Sequence, residues 1–110
     1  MSTPARGRLL DRSTAPTSGE RIEELVQLGG ATIEQILSGV IDGPLDYEQD
    51  HDEWVVLLAG SAELEVGGEL FSLEEGDWLV LPRRTPHRLV AAAPGSNWLA
   101  VHLPRPQQHA

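Results

Sequence analysis

The feature that most constrains this chain is its punctuation. From residue 31 onward, short apolar or alternating runs follow one another: ATIEQILS (31–38), YEQDHDEWVVLL (47–58), SAELEV (61–66), ELFSL (69–73), DWLVL (77–81), HRLVAA (87–92) and NWLAVHL (97–103). Turn signals separate them at Gly39, Gly43-Pro44, Gly60, Gly67-Gly68, Glu75-Gly76-Asp77, Pro82 and Pro94-Gly95. Runs of this length with such breaks read as strands. No connection is long enough to carry a crossover helix, so parallel βαβ folds are excluded. Seven closely spaced strands predict an all-β sandwich or closed barrel. The Gly67-Gly68 link is the sharpest hairpin signal, because primed turns demand positive φ. The segment ERIEELVQL (20–28) fits a helical turn and a first strand equally well. Residues 1–19, rich in Ser, Thr, Pro, Gly and Arg, show no hydrophobic period and are expected to form a flexible or edge-covering arm ahead of one domain spanning 20–110.

Composition removes several function classes. The 110 residues contain no Cys, which excludes disulfides and thiolate chemistry, and no Lys, which excludes Schiff-base catalysis. A net charge of −9 repels phosphate backbones and anionic lipid surfaces, so neither nucleic acid nor membrane is an expected partner. No apolar run approaches the roughly 18–20 residues needed to span a bilayer, and the N-terminus lacks the apolar core of a signal peptide; the expected location is cytoplasmic.

Candidate chemistry gathers in one segment. If 47–58 is a single unbulged strand, Tyr47, Gln49, His51, Glu53, Val55 and Leu57 share a face that begins polar and ends apolar, as in the wall of a small barrel with a site at its mouth. The opposite face presents Trp54, Val56 and Leu58, which need a cover: a second sheet, the arm, or another copy of the chain. A homodimer is the expectation. On the last strand Trp98 and His102 share a face, which makes His102 a candidate for the pocket. Arg83, Arg84 and Arg88 are read as partners for the chain's surplus acids, in preference to an anion site.

The stretch from Gly43 to Ala91 resembles the two motifs of the cupin superfamily. The first motif, G-x5-H-x-H-x3-E-x6-G, is matched in its second half by Glu53 and Gly60, while Tyr47 and Gln49 stand at its histidine positions. The second, G-x5-P-x-G-x2-H-x3-N, is matched by Gly76, Pro82 and His87, with Arg84 where glycine is usual and Ala91 where asparagine is usual. The resemblance implies a cupin double-stranded β-helix, or jelly-roll barrel, in which motif side chains bind one divalent metal. Carried over by position, the ligand set is Gln49, Glu53 and His87, with Tyr47 beside them. Imidazole and carboxylate suit Zn, Fe, Mn or Ni; a neutral amide and a phenol are weaker donors. A local bulge would instead assemble His51, Glu53 and His87 as a facial set.

The resemblance therefore implies a small stand-alone cupin that holds a divalent metal, a small polar ligand, or both, with metal-dependent catalysis left open. The alternative is a non-catalytic sensor or interaction module that kept the barrel and lost the metal site. The replacement of both motif histidines favours the alternative; the retention of Glu53 with His87 opposes it.

Overall fold

In the computed structural model, which describes residues 3–105, nine strands form two antiparallel sheets. They are β1 Glu20–Leu28, β2 Ala31–Ser38, β3 Leu45–Tyr47, β4 Glu53–Ala59, β5 Ala62–Val66, β6 Glu69–Leu73, β7 Trp78–Leu81, β8 His87–Ala92 and β9 Ser96–His102. One sheet runs in the order β1-β2-β9-β4-β7 and the other β3-β8-β5-β6. From β3 onward the chain passes repeatedly from one sheet to the other, giving a jelly-roll barrel. Among the described residues the only helix is a single 3-10 turn, Arg12–Thr14.

The ambiguous segment 20–28 is a strand. The deciding feature lies just beyond it: Gly29 and Gly30 adopt φ of 55° and 82°, the conformation of a two-residue hairpin, and fold β1 back along β2. Gly67 and Gly68, at 56° and 86°, do the same for β5 and β6.

The run 47–58 is not one strand. It breaks at Glu48–Asp52, so that β3 belongs to one sheet and β4 to the other. Backbone bonds hold this break in place. Arg84 N donates to the Gln49 carbonyl at 2.6 Å, Leu103 N to the Asp52 carbonyl at 3.0 Å, and Arg83 N to Asp52 Oδ1 at 2.9 Å. Below the break the alternation expected of a half-buried strand holds: Glu53, Val55 and Leu57 are buried, while Trp54, Val56 and Leu58 face outward and are partly or fully exposed.

Between the sheets, Leu57, Ala62, Leu64, Leu73, Leu89 and Trp98 anchor the core. Each buried leucine among them contributes about 1.5–3 kcal/mol. Gly60 marks a close crossing: at φ 99°, a Cβ there would sit 2.3 Å from Ser96 Oγ.

The N-terminal arm, expected to be flexible or edge-covering, is tied to the barrel over residues 10–19. Its Leu10 N–H and carbonyl both bond the side-chain amide of Gln35, at 2.8 and 3.0 Å, so a side chain on the outer face of β2 acts as a surrogate strand partner. Arg12 Nε donates to the Gly95 carbonyl at 2.7 Å, and Val40 exchanges backbone bonds with Thr17 and Gly19.

Candidate functional site

A cavity of about 120 Å³ lies between the sheets at the end where β4 and β8 begin and β3, β7 and β9 finish. Strand ends bring ligand-type side chains here from separate parts of the sequence. Tyr47 comes from β3, Glu53 from β4, His87 from β8, His102 from β9, and Gln49 from the break between β3 and β4. Thus Tyr47, Gln49, Glu53 and His87 line one space, as does His102. His51 is not among the lining residues and reaches the site only through His102.

Two lining groups carry no motif signal: Glu20 of β1 and Glu34 of β2. Glu34 shares an inward face with Ile36 and Ser38, but the opposite face of β2 is as apolar, so sequence alternation does not single it out. Glu20 opens the segment whose secondary structure was ambiguous.

Each carboxylate is held. The Tyr47 hydroxyl donates to Glu20 Oε1 at 2.7 Å, and Ser38 Oγ, which itself accepts from the Trp98 indole at 3.1 Å, donates to Glu20 Oε2 at 3.1 Å. Glu53, only 5 % exposed, accepts from the Gln49 amide. Glu34 Oε1 lies 2.6 Å from His102 Nε2, and His102 Nδ1 lies 2.8 Å from His51 Nε2 and 3.6 Å from Glu53 Oε1. One proton assignment satisfies the Glu34–His102–His51 chain with both imidazoles neutral: His102 donates from Nε2 to Glu34 and accepts at Nδ1 from His51.

Burial raises the Glu20 carboxyl above its ordinary pKa, against the opposing hydrogen bonds from Tyr47 and Ser38. Burial first, then the hydrogen bond to Glu20, pushes the Tyr47 phenol upward. Tyr47 therefore stays protonated and acts as a donor.

His87 is different. It is 7 % exposed, its ring stacks on Tyr47 at a centroid distance of 5.5 Å, and its buried Nδ1 has no hydrogen-bond partner. Buried polar atoms are nearly always paired, so an orphan on a residue that lines the cavity marks a point where a ligand able to reach it gains affinity.

The donor set does not fit a metal as it is arranged. Among the described residues no group of three or more His, Cys, Asp or Glu side chains is disposed to hold one ion. Tyr47 keeps its proton, the Gln49 amide is turned onto Glu53, and both nitrogens of His102 face protein partners.

The arginines stay outside. Arg88 pairs with Asp46 at 2.6 Å on the exposed side of β8, Arg83 and Arg84 are exposed, and no arginine lines the cavity.

Comparison with known proteins agrees with this barrel. The cupin domain family profile matches residues 32–101. A solved structure from Ralstonia eutropha JMP134, provisionally assigned as a mannose-6-phosphate isomerase, is 31 % identical, covers 92 % of this chain and 99 % of its own, and superposes with a TM-score of 0.74. KdgF from Halomonas sp. is 24 % identical over 80 % of this chain and 82 % of its own, with a TM-score of 0.67. A cupin protein from Bacteroides fragilis is 15 % identical, covers 100 % of this chain and 92 % of its own, and gives a TM-score of 0.66. Curated protein sequences gave no significant match. The chain belongs to the cupin family.

Proposed function

We propose that this cupin binds a small polar ligand in the barrel cavity through its own side chains, with His87 and Glu53 as the polar anchors and Tyr47 and Glu20 beside them. The observation that carries the reading is the unpartnered, buried Nδ1 of His87 in a wall shared with three carboxylates. A bound group that pairs with this nitrogen recovers the desolvation cost of the orphan, on the order of 1–3 kcal/mol. Glu53 and His87 are also groups able to move a proton to or from such a ligand.

A divalent metal (Zn, Fe, Mn or Ni) at Glu53, His87 and Gln49 is the second reading. It is favoured by the motif positions of these residues and by the same free nitrogen, and it requires Gln49 to release Glu53.

The test is a two-dimensional NMR screen of chelator-treated protein against small amines, polyols, sugars and acids. The proposal expects hits that shift the Trp98 indole and His87 ring signals. Hits confined to the outer surface, or appearing only after metal is added, would reject it.

A further inference from the structure

We infer that the ligand of this cavity is a small organic cation, a compact amine with an apolar body. The inference rests on the cavity-binding reading above and specifies its charge class.

Three carboxylates from three strands, Glu20, Glu34 and Glu53, line the space, and no arginine does. Among the described residues the cavity lining holds no basic side chain other than imidazoles, and His102 is already committed to Glu34 and His51. An incoming phosphate or carboxylate would be desolvated against like charge, whereas an ammonium meets acceptors on several sides.

The second observation is independent of the acids. With its proton on Nε2, His87 offers the buried Nδ1 as a free acceptor, which suits an N–H donor. The rest of the wall is apolar and aromatic. Val55, Leu81 and Leu89 provide a greasy surface, and Tyr47 and Trp98 provide rings against which a cation is stabilised. At about 120 Å³ the cavity lies well below the roughly 300–1,000 Å³ of sites that take drug-sized ligands, which suits a small one. The sugar phosphate in the name of the Ralstonia protein carries the wrong charge for this lining.

A matched series isolates the charge: n-propylamine, n-propanol, propionate and mannose 6-phosphate, titrated calorimetrically into chelator-treated full-length protein at neutral pH, with the Trp98 indole N–H followed by NMR. The amine should bind at least tenfold more tightly than the alcohol and shift the indole signal, and the two anions should do neither. Glu53→Gln should weaken the amine at least tenfold. Glu20→Gln, which keeps an acceptor for Tyr47, should weaken it too, and covers the case in which the first variant fails to fold. If an anion binds in the cavity as tightly as the amine, the charge class is overturned while the cavity reading stands. If none of the four shifts the indole, the amine inference is overturned and the wider screen decides the cavity reading on its own.

Discussion

The Tyr47 hydroxyl donates to Glu20 Oε1 at 2.7 Å and so ties β3, an edge strand of one sheet, to β1, an edge strand of the other. Both ends of this bond belong to the cavity wall, which makes it a latch on the barrel as well as part of the site. Tyr47→Phe keeps the ring stacked on His87 and removes only the latch. It should cost about 1–3 kcal/mol, the range for a partly buried acceptor losing its donor. Urea unfolding measures this; a loss below about 0.5 kcal/mol would mean that the two edges are held by other contacts.

Glu20 also sets a pH dependence. Its folded pKa lies above the ordinary 4.5, so below that value both folded and unfolded states carry the proton and there is no penalty. As pH rises from about 4.5 the unfolded state ionises first and gains relative to the fold, and the penalty levels off above the folded pKa. Glu20→Gln removes this titration. The variant's stability minus that of the wild type should therefore increase from pH 4 to pH 7, as read by urea unfolding at both values. A difference that is flat or falls with pH would contradict the assignment.

Arg84 stands where the cupin motif places glycine, and it adopts φ 58° at the third position of the Pro82–Thr85 turn. A left-handed non-glycine residue costs on the order of 1–2 kcal/mol, partly offset by the greater freedom of glycine in the unfolded chain. Arg84→Gly should thus stabilise the protein by about 0.5–1 kcal/mol. A clear loss of stability on thermal unfolding would show that the arginine side chain compensates the strain.

The outer face of β4 and β7 bears on self-association. Trp54 and Trp78 lie 6.4 Å apart, and Trp78 and Val80 are 59 % and 53 % exposed. The arm, one candidate cover, is engaged with Gln35, Val40 and Gly95 instead. A second copy of the chain is the cover proposed for it, in a homodimer. Light scattering should give about twice the 12.0 kDa chain mass, reduced to one chain by Trp78→Glu. A single-chain mass for the wild type at micromolar concentration would refute it.

Much of this architecture was legible because strand breaks and alternation are local signals. Gly67-Gly68 turns as read, and β4 buries Glu53, Val55 and Leu57 while Trp54 faces out. The Gly29-Gly30 hairpin was equally visible in principle; the mixed apolar spacing of Ile22, Leu25 and Val26 obscured it. The site was legible only where motif spacing marked it. Glu20 and Glu34 lie on the β1–β2 hairpin, which only the fold brings against Glu53 and His87, and the pairing of His51 with His102 spans 51 residues. The break at 48–52, which turns His51 away from the cavity, depends on backbone bonds to Arg84 and Leu103 that no local pattern announces.

The most direct measurement is calorimetry on chelator-treated wild type, His87→Ala and Glu53→Gln. Each is titrated with Zn, Mn, Ni and Fe(II), and separately with the best small polar ligand from the screen. The account predicts that no metal binds the wild type tighter than about millimolar, that the polar ligand binds without metal, and that His87→Ala loses at least tenfold in ligand affinity, as expected for about 1.4 kcal/mol from one anchoring hydrogen bond. Micromolar metal binding that both variants abolish, with ligand binding dependent on that metal, would contradict it.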